Sequence, residues 1–312
     1  MGRPIERTPD LNWDNLDQPA LDLHSLDDPF SEDEIKTTSF QIMPADKALG
    51  PNGYTSAFFR ACWDVIKGDF MEAVIAFHNL RISSLPLLNS ANIVLIPMKE
   101  GVDYVTDCRR PISLIHSFAK IIAKALALRL APYMMIIVPP TQSAFIKKRS
   151  IHDNFMAVRN TARSFHRNNI PALFIKLDIT KAFDSVRWDY LRTLLQRLGF
   201  PPRWQDWIAS LLATSTSRVL LNEVPSTPLK HGRGLRQGDP LSPLLFVIAI
   251  DPLRRLLDLA TESHSKKVKG DTHTTLEPPC TQMIQPSSSI LERKSSPPWQ
   301  IFLLDSVSQQ VS

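Results

Sequence analysis

The sequence predicts a mixed helix-and-strand fold of the α+β class. Three observations carry that expectation. A short β-branched run closed by a proline, Asn92 to Pro97, has the make-up of a strand. Ala172 to Asp178 alternates, with Leu173, Ile175 and Leu177 facing one way and Phe174, Lys176 and Asp178 the other. Long stretches elsewhere repeat their apolar residues at helical spacing. With 43% hydrophobic residues over 312 positions, the chain can bury one large core or two modest ones.

The first 30 residues are acidic and poorly periodic, which predicts a linker without regular structure. Order is expected from Ser31, where Ser31 and Glu34 form a capping box ahead of Ile35. After a Gly/Pro turn at 49–53, the pattern predicts helices over about 56–66 and 69–80. Phe118, Ile121, Ile122, Ala125, Leu126 and Leu130 make one stripe from 117 to 130, with Lys120, Lys124 and Arg129 off it. Trp188, Leu191, Leu194, Leu195 and Leu198 make the buried stripe of another helix, ended by Gly199 and by Pro201-Pro202. Trp204, Trp207, Ile208, Leu211 and Leu212 mark the next helix, and about 218–221 reads as a short strand. Ser242 as N-cap and Pro243 at the first helical position open an all-apolar helix. Beyond Glu262 the Pro- and Ser-rich sequence loses any period, which predicts a disordered tail.

The net charge is +5 and the pI about 9.1, yet the imbalance is uneven. Ten acids up to Glu34 face Arg3 and Arg7, leaving that stretch at −8 and the remainder at +13. A basic body suits a polyanionic partner. Cys62, Cys108 and Cys280 are too far apart for a zinc knuckle and read as reduced thiols, with no disulfide-linked partner. No signal peptide and no apolar run of about 20 residues is present, so the expectation is an intracellular chain without a membrane segment.

Asp178, near the end of a strand, has the rigid placement that a Mg²⁺ ligand needs, although such a residue alone equally serves as a turn or cap carboxylate. The surrounding residues decide. Lys176-Leu177-Asp178-Ile179-Thr180-Lys181-Ala182-Phe183-Asp184-Ser185-Val186 resembles motif A of reverse transcriptases, and Gly234-Leu235-Arg236-Gln237-Gly238-Asp239-Pro240-Leu241-Ser242-Pro243 resembles motif B. Further matches lie upstream in the family's order: 26–35, Lys47 to Tyr54 (departing at Leu49 and Asn52), Arg110 to Leu114 with Ala119 to Lys124, and Gln142 to Ile151, where Lys148 stands in place of the usual Gly. Over about 26–262 the chain resembles the reverse transcriptase of non-LTR, LINE-type retrotransposons, in a plant-like form.

That resemblance implies an RNA-directed DNA polymerase with right-hand architecture: a linker over 1–30, fingers over 31–170, a partial palm over 171–262 and a tail over 263–312. It implies Asp178 and the backbone carbonyl of Ile179 as Mg²⁺ ligands, with Asp178 the catalytic carboxylate. Phe183 would be the aromatic gate that favours dNTPs, and Asp184 a structural hydrogen-bonder. Gln237, Gly238 and Arg110 would contact the nucleotide; Lys147, Lys148 and Arg149 would contact the template. RNA template, DNA primer and dNTP are the implied partners, and nuclear residence the implied location. The family's paired aspartates after an aromatic-Ala dipeptide do not appear after Asp251; Phe302-Leu303-Leu304-Asp305-Ser306 is a poor imitation. The expectation is therefore a copy truncated after motif B, lacking catalytic hairpin and thumb, with negligible polymerase activity. A non-catalytic nucleic-acid-binding remnant and a mobile-intron maturase relative are the competing readings.

Overall fold

A computed structural model describes residues 21–39, 50–97, 109–169, 175–179, 181–221, 224–268 and 299–303. The expectations for residues 1–20, for Lys47 to Leu49, for Ala172 to Phe174, for Cys108 and Cys280 and for 269–298 lie outside them.

Order begins earlier than the acidic composition suggested. Leu23, just before a single 3-10 turn at His24–Asp27, and Leu26 within it are fully buried, and Phe30 is buried too. The reason sits about 100 residues downstream. Arg129 donates to the carbonyls of Leu26 (3.1 Å), Asp28 (2.6 Å) and Pro29 (3.2 Å), and its guanidinium lies 4.2 Å from the Phe30 ring centre. It also makes a two-point pair with Glu34, Nε to Oε1 at 2.6 Å and Nη2 to Oε2 at 2.7 Å. One planar fork thus gathers a loop that acidic side chains alone leave without cohesion. Helix α1 (Glu32–Thr37) follows, with Ser31 Oγ accepting from the Glu34 N–H as the capping box requires. The reciprocal half of the box is not made, because Arg129 takes both Glu34 oxygens.

The two expected helices become α2 (Ser56–Ala61) and α3 (Trp63–His78), with the break at Cys62, where ψ is 8°. Short helix α4 (Leu85–Leu88) leads into β1 (Ser90–Pro97), which pairs antiparallel with β2 (Arg109–Ile115) in the register Ala91↔Ile115 to Pro97↔Arg109. Helix α5 (Ser117–Leu130) occupies the expected stripe, and Ile121, Ile122, Ala125, Leu126 and Leu130 are all at most 1% exposed. Each of the leucines and isoleucines among them is worth roughly 1.5–3 kcal/mol in transfer terms, which puts α5 in the core.

After α6 (Met134–Ile137) comes α7 (Ile151–Arg167), a helix the apolar pattern did not announce. Its one buried residue is Asn154, whose amide donates to Thr141 O (2.8 Å) and Ser143 Oγ (2.9 Å). Strand β3 (Ile175–Ile179) and helix α8 (Ala182–Ser185) carry the motif A residues. Helices α9 (Trp188–Arg197) and α10 (Pro202–Ala213) pack their Leu and Trp stripes into the α5 core, with Trp204 and Trp207 fully buried. Strand β4 (Thr216–Leu221) then lies parallel to β1, Ser90↔Thr216 to Ile93↔Val219, with two short strands, β5 (Val224–Pro225) and β6 (Leu229–Lys230), folding back on it.

Helix α11 spans Ser242–Val268, running past the expected boundary at 262. Ser242 is its first residue and not its N-cap. The capping oxygen is Asp239 Oδ1, which accepts from the N–H groups of Leu241 (2.8 Å) and Ser242 (3.1 Å). Tyr190 ties α9 to α11 by donating to Ala249 O at 2.8 Å, and burial, then the Asp251 charge, push its phenol up to about 12. Strand β7 (Trp299–Leu303) pairs antiparallel with β3, setting Gln300 opposite Asp178. A strand stands there where the tail was expected to lack structure: Trp299-Gln300-Ile301-Phe302-Leu303, four apolar residues of five and too short to register as a period, pairs with β3.

Candidate active site

The chemistry-bearing stretches are 50 residues apart in sequence and meet through backbone. Gly234 N–H donates to Val186 O (2.7 Å), Leu235 N–H to Phe183 O (2.9 Å), and the Trp188 indole N–H to Gly234 O (2.8 Å). Trp188 is accordingly half-buried, where the apolar stripe predicted a core residue. Gly234 has φ +83°, and a Cβ there would lie 2.9 Å from the Asp184 Cα and 3.0 Å from its carbonyl oxygen. Only a residue without a side chain lets this loop seat itself on α8. The other end of the loop rests on β2: Ser113 N–H donates to Gln237 O (3.4 Å), and a Cβ on Gly238, φ +99°, would lie 3.1 Å from Ser113 O. The motif B loop is thus wedged between β2 and the segment that follows β3.

Between these walls is a cavity of about 190 Å³ whose lining includes Ser113, Asp184, Arg236, Gln237 and Asp239. Arg236 anchors the loop by donating to Asn89 O (3.1 Å) and to the Asn89 side-chain oxygen, and Asn89 in turn donates to Leu211 O (2.6 Å) and Thr214 Oγ1 (2.9 Å). Burial lowers the Arg236 guanidinium below its ordinary value, and Asp239 opposes that. Burial raises the Asp239 carboxyl, against Arg236 and the two capping N–H groups. One guanidinium nitrogen of Arg236, Nη1, is buried without a hydrogen-bond partner. Such a group calls for water, and the cavity has room for it.

Phe183 is half-buried, stacked on Phe246 at 4.7 Å and 16°, with Phe145 edge-on at 6.4 Å. Gln237 and Gly238 are exposed at the loop tip. Asp178 is the penultimate residue of β3, four positions before Ala182 opens α8. Arg110 lies on β2 three residues before Ser113, about 10 Å along the strand from the motif B contact, so the two do not share that contact. Asp184 departs from the hydrogen-bonding expectation: its carboxylate is exposed and makes no hydrogen bond among the described residues. It is its backbone that receives the loop.

Lys147, Lys148 and Arg149 separate into two kinds. Lys147 and Lys148 are exposed, and Lys148 sits at φ +68°, which accounts for the glycine that the resemblance leads one to expect there. Arg149 differs from them in being turned onto backbone. Its guanidinium donates to the carbonyls of Pro139 (2.6 Å), Gln142 (2.7 Å), Val138 (2.9 Å) and Met135 (3.2 Å), and burial lowers it. Those are the spare acceptors at the end of α6 and its turn, and they consume the fork. The sequence reading missed Phe145, exposed at φ +62° and touching Phe183. Its position in Gln142 to Ile151, the one stretch with a lysine cluster beside an aromatic, was the available signal.

Residues 98–271 match the family model described as "Reverse transcriptase (RNA-dependent DNA polymerase)". The chain belongs to the reverse transcriptase family. Among similar proteins are the "Transposon TX1 uncharacterized 149 kDa protein" of Xenopus laevis, 34% identical over 74% of this chain and 18% of its own length, and the "Retrovirus-related Pol polyprotein from type-1 retrotransposable element R2" of Nasonia vitripennis, 30% identical over 73% and 21%. The "RNA-directed DNA polymerase from mobile element jockey" of Drosophila melanogaster is 29% identical over 51% of this chain and 18% of its own length. With these relatives the region is a reverse transcriptase domain of the non-LTR retrotransposon type, and the chain spans about a fifth of the length of the relatives it matches. Among the described residues no helix is long and apolar enough to cross a membrane.

Proposed function

We propose that this chain supplies the nucleotide- and template-binding half of an RNA-directed DNA polymerase site. The observation that carries the reading is the seating of the motif B loop on α8 and β2, which bonds Leu235 to the Phe183 carbonyl, rests Gly238 on Ser113 and sets Gln237 in one cavity lining with Asp184. Phe183, braced by Phe246 and Phe145, is the wall against a ribose 2′-OH. Gln237 and Gly238 meet the incoming base pair, Arg110 meets the triphosphate, and Lys147 and Lys148 meet template phosphates. In right-hand terms, β1, β2, α5 and α7 belong to the fingers, and β3, α8 to α11 and β4 to the palm.

The metal is a narrower matter. Mg²⁺ supplies charge neutralisation at a transferred phosphoryl group, and Asp178 with the Ile179 carbonyl would hold one ion. Among the described residues no group of three or more His, Cys, Asp or Glu side chains converges on a metal position. Asp178 alone does not make up the carboxylate set that a two-metal site needs. Residence in the nucleus follows from the proposed role only if the element's template is met there.

Ultraviolet cross-linking of radiolabelled dTTP in the presence of Mg²⁺ tests the reading. The chain is expected to cross-link, and Asp178→Asn to lose at least about tenfold of the signal, as removal of a charge-assisted ligand should. Cross-linking unchanged by Asp178→Asn would overturn the assignment. Primer extension on an RNA template is expected to show negligible incorporation by these 312 residues alone; robust incorporation would contradict the single-carboxylate argument.

A further inference from the structure

Helix α3 carries apolar side chains on two sides. Trp63, Val74 and Phe77 are buried in the core, while Val65 and Ile75 turn away from it and are 85% and 55% exposed. A helix apolar on both sides is built to lie between two layers, and among the described residues only one layer is present. The exposed residues Val65, Gly68, Glu72, Ile75 and Asn79 follow at steps of 3, 4, 3 and 4, the spacing by which one helix seats another. A Cβ on Gly68 would meet nothing within 4 Å, so nothing among the described residues requires glycine, which weakens the middle of a helix. A second helix crossing at that point would require it. Leu80, at the end of the stripe, stands at φ +57°, where glycine is usual after a helix. It is 44% exposed and walls an open cavity of about 130 Å³ together with Phe77, Ile82 and Leu85.

The rim of this face is acidic, in a chain of net charge +5. Asp64, Asp69 and Glu72 are exposed and make no ion pair or hydrogen bond among the described residues. Glu32 of α1 joins them, accepting from the Trp63 indole at 3.3 Å. Lys67, the one Lys or Arg of α3, lies 3.9 Å from Glu32. We propose that the outer face of α3, from Val65 to Leu80, docks a basic amphipathic helix of a partner protein. Its apolar stripe covers Val65 and Ile75 and crosses at Gly68, and its cations meet Asp64, Asp69 and Glu72. The acids argue against other occupants. Nucleic acid and an anionic lipid surface would meet carboxylates, and a second copy of α3 would set three acids against three. With 16 residues α3 is about 24 Å long, which places the contact at the small, transient end of protein interfaces. None of these residues belongs to the Phe183 site.

Fluorescence anisotropy on the full chain with two labelled synthetic peptides tests this. Both peptides repeat heptads with leucine along one stripe; one flanks the stripe with lysine and its twin with glutamate. The lysine peptide is expected to bind about tenfold or more tighter than the glutamate peptide. Replacing Asp64, Asp69 and Glu72 by Lys is expected to reverse that order. Gly68→Gln is expected to raise the thermal midpoint, because a helix former replaces glycine in open space, yet to weaken the lysine peptide about fivefold or more. Val65→Ser is expected to weaken it by about the same factor with the melt unchanged. Equal affinity for both peptides, or binding of neither, overturns the proposal. So does an order unchanged by the triple variant, or a Gly68→Gln chain that binds like the parent. Sedimentation of the chain alone decides the remaining occupant. Self-association abolished by Val65→Lys would mean that a second copy covers the face and would overturn the proposal; a monomer, or association indifferent to that substitution, leaves the face to the partner helix.

Discussion

The inward-turned arginines, Arg129 of α5 first among them, and the arginines of α7 are the same residue type put to opposite use. Arg129 turns inward and collects three carbonyls and a carboxylate from a segment about 100 residues away. Arg149 and Arg236 do likewise for a turn and for the motif B loop. Arg159, Arg163 and Arg167 keep their guanidinium groups in solvent. Composition counts all six alike as basic. The fold uses the inward set to satisfy backbone acceptors that the short helices and loops leave over, and leaves the outward set in solvent.

The contrast is broken most forcefully at its inward end. Arg129→Ala leaves Glu34 and three carbonyls without their partner, and should cost about 3–5 kcal/mol of stability. The midpoint of denaturant unfolding checks this; Arg129→Lys should recover little, since one ammonium cannot reproduce the fork. Gly234→Ala comes next. A Cβ against the Asp184 backbone at positive φ should cost at least about 2 kcal/mol and unseat the motif B loop. Unfolding midpoint and dTTP cross-linking should fall together.

Acidity probes the same packed half more gently. His116 Nδ1 accepts from the Phe118 N–H at the start of α5, and burial lowers its imidazole below 6.5. His231, beside Ser217 Oγ at 2.7 Å, is lowered by burial and then by Arg236, against Asp184. Both bind protons more weakly folded than unfolded. Their contribution is therefore complete above the ordinary value of 6.5 and is lost as pH falls through the lower folded values. Thermal midpoints against pH should decline below that point, and His116→Asn should flatten the decline. The smallest effect belongs to the outward half. Lys148→Gly relieves a left-handed residue and should raise stability by about 0.5–1 kcal/mol; the unfolding midpoint reads it.

Much of this was legible in the sequence where the cause is local. The stripe of α5 matches its helix residue for residue, because side-chain period and burial are the same fact. Motifs A and B were legible as strings, and their meeting rests on glycines whose need for space only the Asp184 and Ser113 backbones reveal. What sequence could not show was long-range pairing. Leu23, Leu26 and Phe30 looked like part of an acidic linker because the arginine that orders them lies in α5. Arg149 looked like a template contact because a charge run carries no sign of which member faces inward. Helix α7 has one buried residue, the polar Asn154, and hence almost no apolar signal to read.

The claim at the centre is that the loop seated on α8 makes a nucleotide site whose wall is Phe183. Competition between dTTP and UTP for cross-linking, in the parent and in Phe183→Ala, tests it most directly. The account predicts that the parent prefers dTTP and that Phe183→Ala erases the preference while still cross-linking. A preference unchanged by the substitution, or its absence in the parent, would contradict the account.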